Sequence, residues 1–368
     1  MFKYLIVGGH FGDNPKKSGY IEKLFSHLSS INPNGILLNG GKYEELHCIL
    51  TKTKTYYSYD VIFWMPDISN NRPKLVQTIK IVSPHCILIT SKNNLENKYG
   101  FMELVARALQ VKANLFVEFT QEDNSERTIC AGVYDPLGNG YCKTSNISRV
   151  AITLIERIQK LLRYTRVKSK YCDWEDFKTE PDVSDEFYSL IRKYADVFHK
   201  HIHGTDTSRL LGNASFRCER GFPSFKDESF KDGHQIFVSR RNIDKRYIEP
   251  GNFVPVALAF QKDKPFVAYQ SENKPSVDTP IQILLYHYYH NMKYMIHSHV
   301  YIQETLFTKE VIPCGAIEEF YEIISIHPEQ EHTFIKLNLK GHGSLVMAKD
   351  IDNLRDIEYL PRTIPEWI

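Results

Sequence analysis

The first 165 residues alternate short apolar runs with segments in which apolar residues recur every three or four positions. Short apolar runs between turn residues are typical of buried strands, and the wider spacing is typical of amphipathic helices. Strands are predicted at Tyr4–Val7, Gly35–Leu38, Val61–Met65, Cys86–Thr90 and Asn114–Phe119. Helices are predicted at Ser18–Ile31, Phe101–Val111 and Ile147–Leu162. This alternation predicts an α/β domain at residues 1–165, with a parallel Rossmann-like or flavodoxin-like sheet.

The pattern changes in the second half of the chain. Residues 166–183 are rich in Lys, Tyr, Asp and Glu and carry no periodic apolar positions, so they are predicted to be a linker. From residue 184 onwards a helix precedes short strands that glycine and asparagine turns separate. Residues 184–368 are therefore predicted to form a second domain of mixed α+β type. A length of 368 residues agrees with two domains, because single cores stop growing near ~250 residues.

Composition and charge narrow the class of protein. Hydrophobic residues make up 42% of the chain and charged residues 24%, as in folded globular proteins. A net charge of +2 lacks the basic excess that a nucleic-acid surface needs, so no nucleic-acid partner is expected. The 7 cysteines include no Cys-x-x-Cys pair, which favours a reducing, cytoplasmic location. No apolar run approaches the ~18 residues of a membrane span, so no membrane partner is expected.

Three histidines stand in contexts that suit a metal. His297 and His299 are two residues apart after an apolar run, and such residues share one face of a strand. His342 stands between Gly341 and Gly343, which leave its imidazole unobstructed. Imidazoles bind zinc, copper, iron or nickel, so the three are predicted to be metal ligands. The alternative is that each is an ordinary hydrogen-bonded histidine.

Asp278 is the fourth candidate of this group. It directly precedes Thr279 and Pro280, where a helix running to Tyr289 is predicted to begin. A carboxylate at that point is either a metal ligand, a general base or the cap of the helix. For an isolated Asp-Thr-Pro the cap is the favoured interpretation.

Five segments of the second half, taken in order, resemble the class II aldolase/adducin superfamily. The resemblance covers the chain from about residue 184 to its end. The superfamily includes sugar-phosphate aldolases, ribulose-phosphate 4-epimerase and a methylthioribulose-phosphate dehydratase. The segments that carry it are Gly212–Arg217, Ser239–Lys245, Ser276–Pro280, His297–His299 and Gly341–Gly343.

The resemblance implies an enzyme that holds zinc, or another divalent transition metal, through His297, His299 and His342. It implies a metal-dependent lyase that cleaves a carbon–carbon bond in a small sugar phosphate or a nucleoside-derived sugar, and a homo-oligomer. Relatives that are aldolases have glutamate where this chain has Asp278, whereas the epimerase has aspartate. An epimerase-like isomerase is therefore one alternative, a dehydratase another, and a non-catalytic adducin-like binding module a third.

The resemblance also suggests residues that contact the substrate. Asn213 and Ser276 match the phosphate pocket of the family. Arg241 and Asn242 stand in place of a Ser-Gly pair of that pocket, and Arg240 and Arg241 are predicted to bind phosphate or carboxylate, with a solvated basic turn as the alternative.

Two glutamates are candidates for the general acid or base. Glu318 and Glu319 follow Pro313-Cys314-Gly315, near the place where relatives carry an acidic or tyrosine group. Their alternative is a solvated helix start. Cys314 itself is interpreted as a structural thiol.

In the first half, the chemistry-bearing signals are weaker. Gly8 and Gly9 lie between a predicted strand and helix, as in loops that bind phosphate. Glu103 resembles the helix glutamate of nucleoside deoxyribosyltransferase-type domains. Nucleotide or nucleoside binding, with chemistry in this domain, is thus a further alternative to a scaffold role.

Overall fold

The structure is a computed structural model that describes residues 1–46, 59–68, 76, 79–81, 83–122, 125–173, 183–201, 212–218, 235–261 and 264–368. The chain divides into two compact units. Unit 1 comprises Met1–Arg163 and Ile364–Ile368, and unit 2 comprises Tyr164–Thr363. Both units are α/β structures built on one large sheet each.

Unit 1 contains the five strands expected from the apolar runs. Neighbouring strands pair in parallel in the order β2-β1-β3-β4-β5. Alternate residues of β1 pack into separate core clusters, with Tyr4 and Ile6 in one and Leu5 and Val7 in the other. Burial on both faces explains why these strands are continuous apolar runs. The strands are β1 (Tyr4–Phe11), β2 (Gly35–Gly41), β3 (Val61–Ile68), β4 (Ile87–Asn93) and β5 (Leu115–Glu122).

Helices cover this sheet at the predicted places. They are α1 (Gly19–Ile31), α2 (Phe101–Gln110) and α3 (Ile147–Arg163). Ser18 caps α1 by accepting a hydrogen bond from the N–H of Ile21. Two strands that the pattern did not predict, β6 (Ser125–Tyr134) and β7 (Asn139–Thr144), extend the sheet in antiparallel fashion beyond β5.

Unit 2 is built on a second sheet, and β9, β13 and β16 lie side by side within it. Most of its pairs are antiparallel, and the order is β15-β16-β13-β9-β10-β11-β12-β8. The strands of unit 2 are β8 (Lys168–Tyr171), β9 (Asn213–Arg217), β10 (Ile236–Ser239), β11 (Phe253–Gln261), β12 (Lys264–Tyr269), β13 (Tyr294–Ser298), β14 (Tyr301–Ile302), β15 (Phe334–Leu339), β16 (Gly343–Ala348) and β17 (Tyr359–Leu360).

Three α-helices pack in the described part of unit 2. They are α4 (Asp185–His201), α5 (Thr279–Tyr288) and α6 (Glu318–Ile326). Ile281 and Leu285 of α5 share a core cluster with Met295 of β13 and Met347 of β16. This packing fixes the start of α5, where Asp278 stands, relative to the central strands.

The structure departs from the predicted boundaries in two places. The predicted linker at 166–183 contains β8, which pairs in parallel with β12, while residues 174–182 lie outside the described part. The end of the predicted second domain forms β18 (Glu366–Trp367), which pairs with β7 of unit 1. Both strands are short, and backbone hydrogen bonds to a sheet edge leave no periodic pattern to detect. In the described ranges, no helix is long and apolar enough to cross a membrane.

Candidate metal centre

His297 is held on the central strand of the site. It lies on β13, between β9 and β16, and is 3% exposed. Its Nδ1–H donates to the carbonyl oxygen of Ser344 at 2.9 Å, which leaves Nε2 as a lone-pair donor. That Nε2 is buried and has no hydrogen-bond partner among the described residues. The hydrogen bond at Nδ1 thus fixes the orientation of the imidazole and leaves Nε2 available, as is typical of metal-binding histidines.

His299 lies just beyond the end of β13 rather than on it. The ring centroids of His297 and His299 are nevertheless 5.1 Å apart. The Nδ1 of His299 is likewise buried without a hydrogen-bond partner in the described part of the chain. The i, i+2 spacing therefore predicts the proximity of the two imidazoles, although the second has left the strand.

His342 comes from the turn between β15 and β16. Its ring centroid lies 4.6 Å from that of His297 and 5.3 Å from that of His299. Each of the three imidazoles offers one nitrogen, and these nitrogens all lie within 4.8 Å of one another. The structure thus brings together the three histidines that the sequence singles out.

Glycine and arginine hold the turn that carries His342. Gly343 has φ +148°, and a Cβ there would lie 1.8 Å from the carbonyl oxygen of Ser298. Only glycine permits this close approach to the segment of His297 and His299. The buried Arg362 donates to the carbonyl oxygen of Gly341 at 2.9 Å and so fixes the same turn from the end of unit 2.

The two glutamates of α6 have different positions. Glu319 is buried, and its Oε1 accepts a hydrogen bond of 2.7 Å from Nδ1–H of His342. This bond directs Nε2 of His342 towards the cluster, as carboxylates do behind metal-bound histidines. Glu318 instead accepts a hydrogen bond from the backbone N–H of Thr165. The geometry therefore separates the two residues that the sequence grouped as acid or base candidates.

Asp278 stands at the first position before α5, as expected, but its side chain makes no capping hydrogen bond within the described residues. Its Oδ2 accepts from Nδ2 of Asn213 at 2.9 Å and lies 4.0 Å from Nε2 of His297. Its Oδ1 is buried and has no partner among described atoms. The favoured interpretation as a helix cap is wrong, because the carboxylate turns away from the helix N–H groups and towards the histidines.

Cys314 is a donor that the sequence interpretation did not place here. Its Sγ lies 3.1 Å from Nε2 of His342, and Asp278, Cys314 and His342 form a second group of potential ligands. Burial raises the pKa of the thiol, so it is neutral unless a cation stabilises the thiolate.

The charge states of His297 and His299 suit metal binding, whereas the pKa of His342 is raised well above its usual value, because Cys314 and Glu319 outweigh the lowering effect of burial. Burial, with the neighbouring His342, lowers the pKa of His297 to about 4. Burial, together with the neighbouring His297 and His342, lowers the pKa of His299 well below its usual value. Both imidazoles are therefore neutral near pH 7, the form that binds a cation. Burial also raises the pKa of Glu319, against the effect of His342.

Lys245 is a second residue that the sequence interpretation missed. It is 6% exposed, and burial lowers its pKa to about 8, with Asp244 and Asp278 opposing the shift. Its only sequence signal is its place at the end of the Ser239–Lys245 segment. It contributes a positive charge close to Asp278, and this charge adds to the lowering of the pKa values of His297 and His299.

The predicted substrate residues surround Asp278. Asn213 donates to Asp278 and also, at 3.1 Å, to Oγ of Ser276, and its Oδ1 accepts from Gln282. Its amide thus bonds to Asp278, Ser276 and Gln282, and a phosphate contact for Asn213 stays a prediction. Arg241 is exposed, and its Nε donates to the carbonyl oxygen of Pro275 at 3.3 Å.

Arg240 has the less exposed side chain of the two arginines. Its Nε is buried without a hydrogen-bond partner among the described residues. Its backbone forms a bridge with Pro275, which ties the end of β10 to the segment of Ser276. A phosphate or carboxylate contact for the two arginines stays a prediction.

The predicted residues of unit 1 are dispersed. Glu103 pairs with Arg107 one turn later on α2, at 2.9 Å. A Cβ at Gly8 would meet the side chain of Ile21 on α1, so this glycine serves helix packing. Gly9 lines a cavity at the end of β1.

Comparison with known proteins gives weak similarities. No protein-family model matches the chain, and no curated protein matches it in sequence. A DNA/pantothenate metabolism flavoprotein from Streptococcus pneumoniae is 13% identical with a TM-score of 0.36, covering 44% of this chain and 99% of its own. A sugar-phosphate aldolase from Thermotoga maritima is 12% identical with a TM-score of 0.32, covering 46% of this chain and 88% of its own.

A third solved structure is YgbL from Klebsiella pneumoniae, a proposed aldolase/epimerase/decarboxylase. It is 12% identical with a TM-score of 0.28, covering 48% of this chain and 96% of its own. The similar structures thus include two aldolase-type proteins, each matching about half of this chain at low identity. Scores of this size do not define a function, which has to be inferred from the side chains.

Proposed function

We propose that unit 2 is a metal-dependent lyase of the class II aldolase type, acting on a small sugar phosphate or a nucleoside-derived sugar. The observation that carries this proposal is the convergence of His297, His299 and His342, in which His297 and His299 each have a buried nitrogen without a hydrogen-bond partner among the described residues. An unsatisfied buried polar group costs about 1–3 kcal/mol. A bound cation removes that cost, so the cluster is accounted for by a ligand that binds lone pairs.

The donor set fits a divalent transition metal, zinc in particular. Three imidazoles leave one coordination position open for a substrate, as in catalytic rather than structural zinc sites. Asp278 and Cys314 lie close enough to offer a fourth protein ligand. A metal held there supplies Lewis-acid polarisation of the carbonyl and hydroxyl oxygens of the sugar.

The side chains around the cluster have distinct tasks in this reaction. Oδ1 of Asp278 is unpaired, and the carboxylate is held through Oδ2 by Asn213, so it can take the proton of a sugar hydroxyl as the carbon–carbon bond opens. Lys245 provides a positive charge for an anionic substrate. Glu319 holds the imidazole of His342 in place.

An epimerase-like isomerase is the second candidate. Asp278 is 4.0 Å from Nε2 of His297, a position that suits a metal ligand as well as a base. If the carboxylate binds the metal, the carbon–carbon bond of the sugar opens as in the lyase, but both fragments of the sugar stay bound and recombine. The two candidates differ in their products, since a lyase releases an aldehyde and an isomerase releases only the epimer.

Metal analysis of the full-length chain tests the proposal. The wild-type protein is expected to bind about one equivalent of Zn²⁺ or Co²⁺. Replacement of His297 and His299 by alanine is expected to abolish this binding together with turnover of a panel of ketose phosphates. The matched control is His290→Ala, because His290 is half-exposed and pairs with Glu331 instead. Absence of divalent metal from the wild type, or equal metal content in all variants, contradicts the proposal.

A further inference from the structure

A cavity of about 720 Å³ opens in unit 1 at the ends of its parallel strands. Gly9 and His10 of β1, the end of β3 from Trp64 to Asp67, and the end of β4 from Thr90 to Asn93 line it. Its volume lies within the range of ligand sites in proteins, roughly 300–1,000 Å³. It is therefore large enough for a small organic ligand.

The cavity lies where the order of the strands reverses. β1 is flanked by β2 on one side and β3 on the other, so chain connections diverge from its end. In open parallel sheets, ligands bind in the crevice that forms at such a point. The sheet topology alone therefore indicates a ligand-binding site at this edge of the sheet.

Aromatic side chains form part of the walls. Trp64, Phe116 and Phe119 line the cavity, and Tyr20 packs edge-to-face on Phe119 with ring centroids 4.9 Å apart. Flat apolar surfaces of this kind bind planar rings by stacking or by edge contacts. One end of a ligand here is accordingly expected to be aromatic.

Cationic side chains form another part of the lining. Lys16, Lys17, Lys92 and Arg107 line the cavity, whereas Asp67 is the one carboxylate on its described lining. Arg107 is paired with Glu103, so the three lysines exceed Asp67 by two positive charges. Such groups form charge-assisted hydrogen bonds with phosphate oxygens. The other end of the ligand is accordingly expected to be anionic.

The backbone of the loop after β1 holds two of these lysines at the mouth. The N–H of His10 donates to the carbonyl oxygen of Lys16 at 2.7 Å, so the loop folds back on the strand. Gly9 has φ +74°, and a Cβ there would lie 2.7 Å from that same carbonyl oxygen. The loop therefore requires glycine at this position.

We propose that this cavity binds a nucleotide, with its ring against Trp64 and Phe119 and its phosphate at Lys16, Lys17 and Lys92. The class follows from the pairing of aromatic walls and excess cations in one cavity. A purine nucleotide and a flavin mononucleotide share this chemistry, and the experiment separates them.

Titration calorimetry on the full-length chain tests the inference with AMP and FMN as probes. Adenosine and riboflavin are the counterparts without phosphate. At least one of the two nucleotides is expected to bind about tenfold or more tightly than its counterpart. Lys16→Glu is expected to lower the affinity for that nucleotide by about tenfold or more and to leave the affinity for its counterpart unchanged. Trp64→Leu is expected to lower the affinity for the nucleotide and for its counterpart.

Lys23→Glu is the matched control, because Lys23 is an exposed residue of α1 that does not line the cavity. It carries the same change of charge and is expected to leave both affinities unchanged. The inference is overturned if neither AMP nor FMN binds. It is also overturned if Lys23→Glu weakens the nucleotide as much as Lys16→Glu, because the effect would then reflect overall charge.

Discussion

The histidine cluster of unit 2 and the cavity of unit 1 suggest ligands for opposite physical reasons. In the cluster, His297 and Asp278 are buried and carry polar atoms with no hydrogen-bond partner among the described residues. In the cavity, Lys16 and Lys17 are exposed, where a cation is hydrated and costs nothing. The cluster thus suggests a ligand because its unpaired buried atoms are costly without one, whereas the cavity suggests a ligand through its shape and lining alone.

This difference determines how each region should respond to substitution. Buried unpaired groups impose a cost on folding that a ligand relieves, so changes in the cluster should alter both stability and metal affinity. Exposed cations impose little cost on folding, so substitutions of Lys16 and Lys17 should alter ligand affinity alone.

The largest effect is expected for Asp278→Asn. Loss of the charged carboxylate should lower kcat for the sugar substrate by about 10²–10⁴-fold, the usual contribution of a general base. Metal content measured in parallel separates the roles, because a base leaves metal binding unchanged and a ligand does not. Asp352→Asn changes an exposed carboxylate of the same unit and is the control. Unchanged turnover in Asp278→Asn would remove this residue from the reaction.

Lys245→Met is expected to stabilise the protein. Burial lowers the pKa of Lys245 from 10.5 to about 8, which corresponds to about 3 kcal/mol of destabilisation while both states are protonated. That cost is fully present below about pH 8 and disappears as the pH rises to the unfolded value near 10.5, because only the unfolded state then binds the proton. The stability advantage of the variant should therefore shrink over this range.

Urea unfolding at several pH values between 7 and 10.5 measures this effect. Lys309→Met is the control, since Lys309 is exposed. A constant difference between Lys245→Met and the wild type across this range would show that the charge of Lys245 is not the cause.

Glu319→Gln and Glu318→Gln form a matched pair on adjacent residues of α6. Glu319 bonds to His342, so its substitution is expected to weaken zinc affinity by about 10–100-fold. Glu318 bonds to the backbone of Thr165, so its substitution is expected to leave the affinity unchanged. Competition with a chromophoric chelator measures both. Equal effects of the two substitutions would contradict the role assigned to Glu319.

The smallest effect is expected in unit 1, for Gly9→Ala. Alanine is strained at φ +74°, the backbone angle of Gly9, and its Cβ would crowd the backbone of Lys16. The expected cost is about 1–2 kcal/mol in the free energy of unfolding. At Gly100 no described atom lies within 4 Å of such a Cβ, so Gly100→Ala is the control. Urea unfolding measures the stability of the two variants, and equal stability of Gly9→Ala and Gly100→Ala would show that the loop tolerates other conformations.

The sequence patterns predict some parts of the molecule better than others. The five parallel strands of unit 1 were predictable because burial on both faces makes each an apolar run. β8 has the sequence Lys-Ser-Lys-Tyr and lies in the segment that the pattern predicts to be a linker, because its place in the sheet depends on backbone hydrogen bonds to β12. The proximity of His297 and His299 was predictable from their spacing, whereas His342 joined them only through the family resemblance, and the role of all three as ligands stays a proposal.

The α/β character of the chain and the proximity of His297 and His299 can be predicted from the sequence, because periodicity and short-range spacing are local properties. What each polar group contacts depends on the tertiary structure. Glu319 faces His342 while its neighbour Glu318 does not, and Asp278 turns from its helix to Asn213. Lys245 becomes a buried cation beside them. Such contacts join residues far apart in the chain, and their strength depends on burial, which no local pattern encodes.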